Sequence, residues 1–176
     1  MIRAYLAGPD VFLPDAAAHA QRKLAICARH GIEGLSPLNE DIATLAAMPE
    51  AEAWRAIFFK DLAMMEAADI IIANLTPFRG ASADAGTLVE LGWFLGRARP
   101  GFGYSNSAAP FAERSAAQVA AVPDPMPGLT VGGFGLADNL MIAGAVRAFV
   151  TPPDGRDRAF DSLDIFEACV ELAAAG

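Results

Sequence analysis

Glu90 is the only charge in the run Thr87-Leu88-Val89-Glu90-Leu91-Gly92-Trp93-Phe94-Leu95-Gly96. The run predicts a helix, and apolar side chains on every face of it are expected to cut this carboxylate off from bulk water. An unpaired charge so placed costs several kcal/mol, on the order of 5. Two explanations compete. A basic residue pairs with Glu90, the nearest in sequence being Arg79, Arg97 and Arg99, or the carboxylate is kept for chemistry. The apolar setting and the polar loop before it favour chemistry.

Asp84 stands ahead of the same helix and reads first as its N-cap. At a strand-end rim that position also faces a ligand. Asp61, in Phe59-Lys60-Asp61-Leu62, breaks an apolar stripe and alone reads as a solvated helical charge. Tyr5, near the end of a strand-like run, is either a core tyrosine with a satisfied hydroxyl or the group that orients a nucleophilic carboxylate. Asn139 reads as a helix cap. A glutamate with one or two aspartates around one pocket fits glycosidic chemistry. One carboxylate attacks or stabilises an oxocarbenium-like carbon while another acid protonates the leaving group.

Composition removes other classes. The only histidines are His19 and His30, and Cys27 and Cys169 are isolated, so neither a zinc site nor a Cys–His dyad is expected. No metal or cofactor is predicted. The cysteine usage fits a reducing cytoplasm. A formal net charge of −8 argues against a nucleic-acid surface. No apolar run is long enough for a bilayer, and Met1 leads directly into a strand-like segment, so neither a membrane partner nor a signal peptide is expected. GxGxxG, Walker A and GxSxG signatures are absent. In Gly8-Pro9-Asp10-Val11-Phe12 a carboxylate occupies the place where phosphate-binding loops offer bare amides. Without an intervening cation Asp10 repels a phosphate, which favours an uncharged ligand.

The elements that must hold these groups alternate. Strands are predicted over residues 2–7, 32–36 and 70–73, with another at the core's edge over 101–104. Helices are predicted over 15–29, 49–67, through Glu90, over 113–121, 139–149 and 160–174, with breaks at Gly31, Pro37-Leu38-Asn39 and Pro152-Pro153-Asp154-Gly155. Within 49–67, Trp54, Ile57, Phe58, Leu62 and Met65 form the expected core stripe. One domain over residues 1–176 is expected, an α/β doubly wound parallel sheet with helices on both faces. In such sheets ligands sit past the carboxyl ends of strands, at the switch in winding direction. The segments placed there are 8–12, 36–41 and 74–84.

Taken in order, several pieces resemble the nucleoside 2-deoxyribosyltransferase family. They are Tyr5-Leu6-Ala7-Gly8-Pro9-Asp10-Val11-Phe12, Asp61-Leu62, and Asp69-Ile70-Ile71-Ile72-Ala73-Asn74-Leu75-Thr76-Pro77-Phe78-Arg79-Gly80. Asp84-Ala85-Gly86-Thr87 leading to Glu90-Leu91-Gly92, then Gly103-Tyr104-Ser105-Asn106 and Asp138-Asn139-Leu140-Met141, complete them. The resemblance implies a flavodoxin-like fold and exchange of the nucleobase of 2′-deoxynucleosides in nucleoside salvage. It places Glu90 as the nucleophile that esterifies C1′, Asp84 and Asp61 as acidic residues assisting proton transfer, and Tyr5 as the group positioning the nucleophile. Gly8, Asp10, Phe12, Asn139 and Met141 become expected substrate contacts, with Asn139 supplied by a neighbouring subunit. That implies a homo-oligomer, a dimer or trimer of dimers, with a shared site. Its partners are then a 2′-deoxynucleoside and a free nucleobase. The alternatives are a hydrolase of 2′-deoxynucleoside 5′-monophosphates and a nucleoside-binding module without turnover.

Overall fold

The computed structural model describes residues 1–38, 48–123 and 126–176. Five strands, β1 (Ile2–Ala7), β2 (Ile32–Leu35), β3 (Ile70–Asn74), β4 (Gly101–Tyr104) and β5 (Ala148–Val150), pair in parallel in the order β2-β1-β3-β4-β5. Helices α1 (Ala16–Arg29), α2 (Glu50–Ala67), α3 (Ala85–Gly96), α4 (Phe111–Ala121), α5 (Leu140–Gly144) and α6 (Asp164–Ala175) connect or follow them. A 3-10 turn at Pro9–Phe12 follows β1. This strand order is that of the flavodoxin-like doubly wound fold. The chain winds from β1 out to β2, then crosses to β3 on the other side. Its switch point therefore lies between β1 and β3, whose following segments carry Gly8, Asp10 and Phe12, and Asp84. Among the described residues no helix is long and apolar enough to cross a membrane.

Strand periodicity decides which helices meet which residues. Pairing of Leu6 with Ile72 and of Tyr5 with Ile71 keeps the two alternating sets in register across the sheet. Ala4, Leu6, Ile70, Ile72, Phe102 and Tyr104 face one layer, packed on Ile26 and Cys27 of α1 and Phe166 and Val170 of α6. Tyr5, Ala7, Ile71 and Ala73 face the other, with Met65 of α2 and Leu91 and Phe94 of α3. Tyr5 is thereby committed to α2 and α3. On β4 the same face carries glycine, because a Cβ on Gly103 would stand 2.5 Å from Leu75 Cδ1.

Four elements differ from the sequence expectation. The helix expected over residues 139–149 is a short α5, after which the chain forms β5; Arg147 N donates to Gly101 O at 2.8 Å as it joins β4. A three-residue strand has no periodicity of its own and exists through that pairing. β4 is consequently interior and fully buried, not a strand at the core's edge. The last helix starts at Asp164 because the Asn106 amide takes the carbonyls of Ala159, Phe160 and Ser162 at 2.9, 3.0 and 3.1 Å. In α2 only Met65 of the expected stripe is buried, while Trp54, Ile57 and Phe58 are exposed. Asn39 of the expected turn, and residues 39–41 of the expected ligand segment, lie outside the described residues.

Candidate active site

Tyr5 and Glu90 meet. Tyr5 Oη donates to Glu90 Oε1 at 2.7 Å. The Tyr5 ring is fully buried and lies over Phe94, 6.2 Å between centroids and 20° between planes. Phe94 is one turn beyond Glu90, so a single face of α3 supplies both the carboxylate and the platform that fixes the tyrosine. The enclosure expected on every face of that helix is not found. Leu91 and Phe94 are buried while Val89 and Leu95 are exposed, and Glu90 sits partly exposed at the boundary. Burial still raises its pKa to about 7, with Asp61 and Asp84 adding to the rise and the Tyr5 hydrogen bond opposing it. Burial first, then Glu90 and Asp61, push the tyrosine's ionisation far up, so the hydroxyl remains a donor.

None of the three arginines neutralises Glu90. Arg97 pairs with Glu66 at 2.8 Å, Arg99 holds the carbonyls of Met65, Glu66 and Ala68, and Arg79 lies over Phe78. The structural ion pair weighed against chemistry is absent among the described residues.

Asp84 caps α3 as expected, accepting from Thr87 N at 3.0 Å and from Thr87 Oγ1 at 3.2 Å. Asp61 departs from its expected solvated state. It is partly buried, its Oδ1 has no hydrogen-bond donor among the described residues, and burial raises its pKa against the pull of Lys60. The reason is helical phase: Met65, one turn on, is the buried anchor of α2, and Asp61 shares its face. Asp61 also lines a cavity of about 590 Å³ with Val11, Phe12, Leu38, Met48 and Ile57. That volume suits a small molecule. Tyr5 and Glu90 are not among the described lining residues of this cavity. Asp61 is the link, since its charge acts on both of them.

The turn after β1 holds a correction. Asp10 is buried, bonded to Lys23 Nζ at 2.6 Å and Asn74 Nδ2 at 2.6 Å, and Lys23 in turn lies 4.7 Å from the Phe166 ring centroid. Its carboxylate is turned into the fold, engaged there, and neutralised. The repulsion of phosphate expected from Asp10 does not operate. Gly8 is required where it stands, because a Cβ would lie 2.6 Å from Asn74 Cβ. Phe12 is exposed and stacks on Phe78 at 5.7 Å and 15°. Asn139 caps α5 through Met141 N at 3.0 Å, and both residues are exposed. Within this chain neither bonds to Tyr5, Asp61, Asp84 or Glu90.

Sequence reasoning assigned nothing to Lys23, Asn74, Arg114 or Asp138. Asn74 and Asp138 stood inside the motif pieces without a role of their own, and Lys23 offered a signal as a cation one helical turn beyond His19, on the face that α1 buries.

A parallel doubly wound sheet, with a tyrosine-bonded carboxylate and two aspartates past its switch point, defines an α/β protein with a candidate small-molecule site. The particular family follows from comparison: the nucleoside 2-deoxyribosyltransferase model matches residues 4–141, and the chain belongs to that family. A 2-desoxiribosyltransferase from Leishmania mexicana is similar over 99% of this chain and 98% of its own, at 30% identity and a TM-score of 0.66. A 2-deoxyribosyltransferase from Bacillus psychrosaccharolyticus, 21% identical over 84% of each chain with a TM-score of 0.53, shares the fold. An uncharacterised protein of Schizosaccharomyces pombe is 33% identical over 111 residues, 62% of this chain. The match spans 53% of that relative's length.

Proposed function

We propose that this protein exchanges the nucleobase of 2′-deoxynucleosides through a covalent 2-deoxyribosyl ester on Glu90. The carrying observation is the 2.7 Å bond from Tyr5 Oη to a Glu90 carboxylate held at about 7 beside Asp61 and Asp84. Glu90 Oε bonds to C1′ as the C1′–N bond breaks, and the bonding pair leaves with the base nitrogen. Asp61, whose partial burial shifts its balance toward the protonated form, gives a proton to the departing base. The incoming base then attacks C1′, the ester bond breaks, Glu90 regains its charge, and Asp61 takes back a proton. Two displacements retain configuration. Apolar walls at Val11, Phe12, Leu38 and Ile57 keep water from competing for the ester. The exposed Trp54, Phe58 and Phe59 of α2 support a homo-oligomer, and with it an Asn139 delivered to a neighbour's site. A salvage role in the cytoplasm completes the reading.

Incubation with deoxyadenosine and free cytosine should yield deoxycytidine, and mass spectrometry of the quenched enzyme should find the sugar on Glu90. No exchange across a panel of bases would defeat the proposal. One observation favours a second reading: with Asp10 neutralised by Lys23, a 5′-monophosphate meets less repulsion. Hydrolysis of the monophosphate in preference to base exchange on the nucleoside would establish that reading instead.

A further inference from the structure

Helix α4 buries no residue. Its packing therefore does not explain its place, but one of its side chains does. Arg114 Nε donates to Ala81 O at 2.9 Å, Nη1 to Ala109 O, and Nη2 to Ala137 O at 2.8 Å. Nη2 also stands 3.6 Å from Asp138 Oδ2. The Asp138 side chain has no exposed surface. Its Oδ1 accepts from Ser82 Oγ at 2.6 Å and Asn139 N at 2.7 Å, and its Oδ2 from Ala83 N at 3.2 Å.

We infer that Arg114 and Asp138 form a positioning pair that sets the loop carrying Asp84 against the segment carrying Asn139 and Met141. The two loops are tied twice: the guanidinium takes a carbonyl from each, and the carboxylate takes a backbone amide from each. Those amides belong to Ala83, which immediately precedes Asp84, and to Asn139 itself. A planar fork of donors can serve three carbonyls at once, which a lysine ammonium on its flexible stem does not reproduce. Neither residue touches the Tyr5–Glu90 pair, so the pair acts through what it holds. The kinetic consequence rests on the transfer reading above; the positioning itself does not.

A purely structural pair would only add stability. A positioning pair has a further effect, because Glu90 feels the charges of Asp61 and Asp84, and release of the Asp84 loop removes part of that field. The test compares full-length Asp138→Asn and Arg114→Lys with the wild type. Three readouts serve: base-exchange kinetics per folded molecule, ¹³C NMR titration of the Glu90 carboxyl, and amide hydrogen exchange at Ala83 and Asn139. In both variants kcat/KM should fall by about 10²-fold, the cost of a misplacement near 1 Å. The Glu90 midpoint should move down, and Ala83 and Asn139 should lose protection together. A lowered melting temperature with an unmoved Glu90 midpoint and unchanged kcat/KM would overturn the inference. Should Asp138→Asn not fold, Arg114→Lys, which keeps the cation beside Asp138, carries the same readouts. A wild type without exchange activity would sink the transfer reading alone, and the NMR and hydrogen-exchange arms would still decide the pair.

Discussion

Replacing Tyr5 with Phe removes one hydroxyl and leaves the ring against Phe94. Among the described residues the lost donor is the one group beside Glu90 that favours its ionised form; burial, Asp61 and Asp84 all oppose ionisation. A hydrogen bond to a charged group is worth roughly 1.5–3 kcal/mol, which at 1.36 kcal/mol per pKa unit is about 1–2 units. Starting from about 7, the variant's Glu90 should titrate about 1–2 units higher. At neutral pH its ionised fraction then drops from about a half to about a tenth or less. Because the nucleophile must be ionised, the acid limb of the kcat/KM profile should shift upward by the same 1–2 units, approximately. The loss of rate should be largest near pH 7 and should shrink toward pH 9.5, roughly, where Glu90 is ionised in both proteins. The assay is base exchange followed from acid to alkaline pH, with ¹³C NMR of the Glu90 carboxyl as an activity-independent measure. A limb that stays in place, or moves to lower pH, would refute the claim that this hydroxyl holds the carboxylate in its charged form.

Two further outcomes follow from the same geometry. Glu90 is raised from 4.5 to about 7, so the folded state binds its proton more tightly than the unfolded chain does. The associated stability is fully present below about pH 4.5 and is lost as pH rises through about 7. The shift corresponds to about 3 kcal/mol, which screening at a partly exposed group reduces to about 1–2. Glu90→Gln should therefore exceed the wild type by about 1–2 kcal/mol in urea melts at pH 8, match it at pH 4, and form no sugar ester. Lys23→Met leaves Asp10 buried with Asn74 but without its cation. It should cost about 3–5 kcal/mol in denaturant unfolding, much of it recovered by adding Asp10→Asn. A single variant as stable as the wild type would show that Asp10 reaches solvent.

Local signals carried much of the fold. The β-branched run at Ile70-Ile71-Ile72 declares a buried parallel strand by composition alone, and Asp84 ahead of an apolar helix declares its cap. The solitary charge of Glu90 marked it before any neighbour was known. Each of these is written within one helical turn or one strand of chain, where periodicity and capping act. β5 was not legible for the opposite reason: three residues exist as a strand only through β4, more than forty residues away. Asp61 and Asp10 show the same divide in the site. From the chain alone, one read as a solvated charge and the other as a ligand-facing carboxylate. Their surroundings come from different layers of the sheet, where α2 brings Asp61 toward Tyr5 and Glu90, and α1 brings Lys23 to Asp10. Sequence alone determined the local elements and marked Glu90 as a candidate for chemistry, because side-chain type and short-range pattern suffice for that. Only the tertiary structure decided which carboxylates stand together and which is neutralised, because a charge's energy is set by partners and water that distant segments bring or exclude.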